Sequence, residues 1–165
     1  MNFSSEKPIQ DTVVQLLMEK GWHISFAESC TGGLAAARIV DVANASRVFD
    51  VSFVTYANEA KTSLLGVSSE SIEKYGVVSE EIVKEMAAGV AKRANSEVGV
   101  GISGIAGPSG GSEKKPVGTV CFGFFVDGGI FTYTKHFGNI GRNNVREASV
   151  QFVYETLLKL VGEKK

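Results

Sequence analysis

Apolar residues Ile9, Val13, Leu16 and Leu17 recur at helical spacing and Gly21 follows as a natural stop, which predicts a first helix from about Pro8 to Lys20. His23-Ile24-Ser25-Phe26 reads as a short strand. Ser29-Cys30-Thr31-Gly32-Gly33 then opens onto Leu34 to Val40, a helix of small residues suited to lying close against a sheet. Val51-Ser52-Phe53-Val54-Thr55-Tyr56 alternates with period two and carries β-branched and aromatic residues, so it is a second strand. Asn58 is placed to cap a short helix after it.

Ser79 followed by Glu80 and Glu81 caps a helix whose inner face carries Val83, Met86, Ala87, Val90 and Ala94, with Lys92-Arg93 suiting its C-terminal end. Val98 to Ser103 is a buried strand, and the glycine-rich run from Gly104 to Gly111 is a loop. Val117 to Val126, a turn at Asp127-Gly128-Gly129, and Ile130 to Phe137 form a β-hairpin. A last helix runs from about Asn143 to Val161, with Val145, Ala148, Phe152, Val153, Leu157 and Leu160 inward. Alternating β and α units plus one hairpin predict an α/β fold: a single three-layer α/β/α domain over residues 1–165 with a mixed, mostly parallel β-sheet.

With 165 residues, 44% of them hydrophobic, the chain can bury a core without a metal or disulfide staple. Its formal net charge of −1 lacks the electrostatic footprint of a nucleic-acid or membrane-surface binder, so no direct nucleic-acid contact is expected. The segment Met1 to Pro8 has no apolar leader, and no apolar run reaches the roughly 20 residues of a membrane span. Two cysteines without metal-ligand spacing fit a reducing cytoplasm.

Ala27-Glu28-Ser29-Cys30-Thr31-Gly32-Gly33 gathers hydroxyls, a thiol and two glycines where a strand meets a helix, a place whose unpaired N–H groups suit an anion or a developing oxyanion. Ser29 is the natural nucleophile, Cys30 a rival, and a plain helix cap the bland alternative. The chain has two histidines, His23 and His136, neither with an acidic residue at a telling position, so a Ser-His-Asp triad is poorly supported. Lys61 is the better candidate base: if Asn58 caps the helix, Lys61 falls in its first turn, where the dipole and burial would both lower its pKa, the bland alternative being a solvated lysine beside a half-buried Tyr56. Tyr56 could hydrogen-bond that pair or relay its proton. Gly99-Val100-Gly101-Ile102-Ser103-Gly104 spells GxGxxG, but its glycines fall inside a strand and a Gly-Pro loop follows, so it is not a dinucleotide fingerprint. Arg142 and Arg146 open the last helix against its dipole, a cost that a bound phosphate would offset, Arg146 being the more readily explained as solvated.

Five blocks, taken in order, resemble the CinA C-terminal domain family: Ala27 to Gly33, Phe53 to Lys61, Gly76 to Ser79, Ser103 to Pro108, and Lys115 to Val120. The resemblance covers nearly the whole chain. It implies nicotinamide-nucleotide amidase activity, hydrolysis of nicotinamide mononucleotide to nicotinate mononucleotide and ammonia, without cofactor or metal, in the stand-alone form that lacks the molybdopterin-binding-like domain of longer members. It places the nucleophile at Ser29, the lysine at Lys61 and the assisting tyrosine at Tyr56. It implies a substrate pocket lined by Thr31, Gly32, Gly33, Gly104, Ile105, Ala106 and Gly107, with Arg142 on the phosphate side. Ser109 stands where the family usually has an aspartate, and the stretch before Arg142 is one residue longer than usual. A homo-oligomer, first a dimer, is the expected assembly. The competing expectations are a non-catalytic partner-binding module tied to competence or DNA damage, and a serine-lysine amidase for a different amide.

Overall fold

Strands β1 (Ile24–Glu28), β2 (Phe53–Val54), β3 (Val98–Gly104), β4 (Thr119–Val126) and β5 (Gly129–His136) form one sheet, ordered β2-β1-β3-β4-β5, in the computed structural model, which describes residues 7–164. The segment Met1 to Pro8, where an apolar leader was not expected, falls largely outside the described residues. The helices are α1 (Ile9–Lys20), α2 (Leu34–Val40), α3 (Asn58–Leu65), α4 (Ser69–Tyr75), α5 (Glu80–Ala94) and α6 (Arg142–Glu163).

The pleat sorts the strands' side chains into two layers. Val98, Val100 and Ile102, with Val120, Phe122, Phe124 and Val126, meet α1, α2 and α6 through residues such as Leu17, Ile39, Val153 and Leu157. On the other face Ala27 and Cys121 meet α3 and α5 through Leu65, Ile82, Val83 and Met86. Here the glycines of β3 and β4 find their use. A Cβ added at Gly99 would stand 2.3 Å from the Ala87 carbonyl oxygen, and one at Gly123 2.2 Å from that of Val83. Gly99 and Gly101 of the GxGxxG spelling thus form a seat for the backbone of α5, while Gly104 faces the Val120 side chain.

The sheet is mixed, but mostly parallel only in one sense. Four of the five strands run the same way, whereas half of the pairings, β3 with β4 and β4 with β5, are antiparallel because β4 is reversed by the hairpin. The hairpin turn is Asp127-Gly128, both with positive φ, and Gly129 is already paired with Val126.

Three features differ from the pattern. β2 shrinks to two residues, because the Phe26 N–H donates to the Ser52 hydroxyl instead of a backbone carbonyl, ending the ladder there. α4 was not foreseen: it buries none of its residues, so no apolar stripe marks it, and only the Ser68 hydroxyl, accepting from the Ser71 N–H, signals its start. In α6, Ser149 and Tyr154 are buried where Ala148 was expected to point inward. Among the described residues no helix is long and apolar enough to cross a membrane.

Candidate active site

Parallel strands present their carboxyl ends on one edge of the sheet, and a crevice opens where successive crossovers leave on opposite faces. That point is β1. From it α2 leads to β2 over one face, while α3, α4 and α5 lead from β2 to β3 over the other. Ser29 is the first residue past β1, and its N–H donates to the Ile102 carbonyl of β3.

Lys61 comes to Ser29 from α3. A helical side chain leans toward the N-terminus of its helix, and this one reaches back far enough for Nζ to lie 2.8 Å from the Thr55 carbonyl oxygen, 3.4 Å from that of Tyr56 and 3.4 Å from Ser29 Oγ. The lysine is 1% exposed, and burial pushes its pKa below the ordinary lysine value, against a smaller opposing pull from Cys30. Asn58 does not cap α3, since Ala57 holds that position and Asn58 is the first helical residue; Lys61 still closes the first turn, its N–H directed to the Ala57 carbonyl. Cys30 is buried beside Ser29, and desolvation raises its thiol to about 12, so it holds its proton and is a poor nucleophile.

The loop carrying Ser29 is braced from both ends. The Glu28 carboxylate, 1% exposed, accepts from the N–H groups of Gly33, Ala35 and Ala36 at 3.1, 3.0 and 2.9 Å. The Gly33 amide was expected to be free for an oxyanion; it is instead consumed with the other two, because the cap of α2 is Gly33, which has no side chain to accept them. Arg146 is no solvated arginine: it donates to the carbonyls of Cys30 and Thr31 at 3.0 and 3.1 Å. The buried Tyr154 hydroxyl donates to the Ala35 carbonyl at 2.7 Å, so α6 locks α2 in place. Neither Glu28 nor Arg146 was given these roles from sequence. The one signal was negative, a helix start lacking its own acceptor.

A cavity of about 520 Å³ lies over this floor, within the range of small-molecule sites. Ser29, Cys30 and Tyr56 line it, as do Gly104, Ile105, Ala106, Gly107, Ser109 and Arg142; Gly76, Val77, Val78 and Lys115 complete the far wall. Thr31, Gly32 and Gly33 do not belong to this lining: Thr31 is fully buried, and the two glycines supply the positive φ that turns the chain into α2. Tyr56 meets the lysine through its backbone carbonyl alone. Its phenol accepts instead from Arg142 at 3.1 Å, and the same guanidinium donates to the Gly107 carbonyl at 2.7 Å, joining three walls of the cavity.

Neither histidine reaches Ser29. His23 does have a carboxylate partner, Asp50 at 2.5 Å, but at the opposite end of β1, and His136 pairs with Thr119 on β4. Among the described residues three buried hydroxyls lack a partner, those of Thr31, Thr55 and Ser103, all near the carboxyl ends of the parallel strands.

A family profile described as CinA C-terminal domain matches residues 6–161. Nicotinamide-nucleotide amidohydrolase PncC of Enterobacter agglomerans is 49% identical over 159 residues, which cover 94% of this chain and 96% of that protein. A CinA-like protein of Fervidobacterium nodosum is also 49% identical, over 92% of this chain, yet this chain spans only 37% of its length. The crystal structure of a CinA superfamily protein from Klebsiella pneumoniae superposes with a TM-score of 0.89 at 34% identity, covering 93% of this chain and 96% of that one. A competence/damage inducible protein from Agrobacterium tumefaciens superposes at 0.86 with 36% identity, over 96% of this chain and 99% of its own.

Proposed function

The chain belongs to the CinA C-terminal domain family, and we propose that it is a cytoplasmic nicotinamide-nucleotide amidase acting as one domain. The observation that carries the chemistry is the buried Lys61 Nζ facing Ser29 Oγ at the cavity floor. The near full-length relation to an amidohydrolase of that name supports the substrate. The two cysteines, free and buried, suit a reducing compartment.

A neutral amine has two hydrogens and one lone pair. With the hydrogens given to the carbonyls of Thr55 and Tyr56, the lone pair of Lys61 is left to accept the Ser29 O–H. Ser29 Oγ then attacks the carboxamide carbon as its proton passes to Lys61. The resulting ammonium returns a proton to the departing ammonia, and water hydrolyses the acyl-enzyme by the same base. The N–H groups of Ala106 and Gly107, which line the cavity, donate to no protein acceptor among the described residues and are the donors we assign to the oxyanion. A well-placed donor of this kind contributes about 3 kcal/mol to the transition state.

Ammonia release from nicotinamide mononucleotide, nicotinamide riboside, free nicotinamide and unrelated carboxamides tests the proposal. Turnover of the mononucleotide above the others is expected. Turnover of an unrelated amide alone would leave a serine-lysine amidase of another specificity, and no turnover of any would leave a binding module. Light scattering tests the expected dimer.

A further inference from the structure

Arg142 and Lys115 are the two cations that line the cavity, and no carboxylate lines it. The chain as a whole has 17 basic and 18 acidic residues, so the cavity is more cationic than the molecule around it. The two ion pairs among the described residues, His23 with Asp50 and Arg38 with Glu147, involve neither of them. Arg142 has two of its N–H donors committed to the Gly107 carbonyl and the Tyr56 phenol. Lys115 is freer. Its Nζ has one protein acceptor, the Tyr75 carbonyl at 3.1 Å, which leaves two of the three ammonium hydrogens unused.

Lys115 is also held in position. The Ser112 N–H donates to the Lys115 carbonyl at 2.9 Å, and the Lys115 N–H donates to the Ser112 hydroxyl at 3.1 Å, closing a tight turn just before β4. Its ammonium stands over Gly76, where an added Cβ would lie 3.6 Å from Nζ. On its other side it borders a shallow cleft with Glu80 and Glu81, neither within ion-pair distance, and the Glu80 carboxylate is occupied by the hydroxyls of Thr132 and Thr134. Ser29 follows β1 and Lys115 precedes β4, with β3 between those strands, and both line the same cavity of about 520 Å³. A cavity of that volume has room for a ring and a pentose between a reacting carboxamide and an anionic tail.

We propose that Lys115 is a specificity-determining residue that binds the 5′-phosphate of the substrate together with Arg142, so that the cavity selects nucleotides over nucleosides. The proposal rests on the amidase reading for its substrate, while the phosphate subsite itself can be tested without turnover. Lys115→Gln keeps the length and polarity of the side chain and removes its charge. The expected result is a rise of about tenfold to a hundredfold in KM for nicotinamide mononucleotide, the worth of one charge-assisted contact, with kcat nearly unchanged and nicotinamide riboside unaffected. Lys115→Arg should recover most of the loss. Calorimetry of ribose 5-phosphate against ribose forms a second arm: the wild type should prefer the phosphate, and Lys115→Gln should lose that preference. If the wild type hydrolyses no mononucleotide yet shows this Lys115-dependent preference, the amidase reading fails and the subsite stands. Equal effects of Lys115→Gln on mononucleotide and riboside, or no effect on either together with an unchanged phosphate preference, would overturn the proposal.

Discussion

Replacing Lys61 by Met removes the amine while filling nearly the same volume, and replacing it by Arg keeps a charge that cannot be lost near neutral pH. Both variants should lose the base. A positioned general base contributes about 10²–10⁴ in rate, so kcat for ammonia release should fall by at least about a hundredfold in each. In the wild type, activity should rise tenfold per pH unit below the pKa of Lys61, because only the neutral amine can take the Ser29 proton. The same ionisation acts on stability with a definite sign. Burial lowers the folded-state pKa below the ordinary value of 10.5, so between those two pKa values the unfolded chain binds more protons and wild-type stability increases with pH. The burial penalty is fully present below the folded pKa and gone above about 10.5. Lys61→Met has no such group. Urea unfolding of both proteins across pH 6–10 should therefore give a stability difference that shifts in favour of the wild type as pH rises, at the same pH where the activity limb bends. Parallel stability curves, Lys61→Arg with near wild-type kcat, or an activity limb abolished by His23→Ala or His136→Ala would each refute the serine-lysine reasoning.

Ser29→Ala should abolish ammonia release while Cys30→Ala keeps a substantial fraction of it, since a thiol raised to about 12 is not a thiolate at neutral pH; activity assays of the purified variants decide between them. Glu28→Gln puts an NH₂ group where only acceptors fit three backbone N–H donors, and should cost about 2–4 kcal/mol in urea unfolding together with a fall in kcat, because the braced loop carries Ser29. A variant as stable and as active as wild type would mean the brace is dispensable. Gly101→Ala inserts a Cβ 2.6 Å from the Val83 carbonyl oxygen, so α5 must lift off the sheet; a loss of about 1–3 kcal/mol is expected in thermal or urea unfolding, whereas Gly128→Ala, with no atom within 4 Å, should show only the cost of its positive φ.

Much of this fold is local and was therefore legible. The spacing of Ile9, Val13, Leu16 and Leu17 before Gly21, the Ser79 cap with its following glutamates, and Asp127-Gly128 between two apolar runs each specify an element through interactions a few residues apart. The order of those elements, with one hairpin among βα units, determined a layered α/β fold with a mixed sheet. The residue types around Ser29 and Lys61 marked both as candidates, with a plain helix cap and a solvated lysine as the alternatives. Tertiary structure decided what those residues touch. Whether the amides opening α2 face a ligand depends on a carboxylate from β1 that folds back over them, and no periodicity records that contact. Whether Arg146 is solvated depends on two carbonyls more than a hundred positions away in the chain. Tyr56 could be assigned to the lysine from its neighbourhood in sequence, but an extended chain aims successive groups to opposite sides, so its carbonyl meets Lys61 while its phenol meets Arg142. The cavity itself has no local code at all: it exists where crossovers part at the end of β1, and its wall of two cations is assembled from a turn before β4 and the first turn of α6, segments that only the packed sheet brings together.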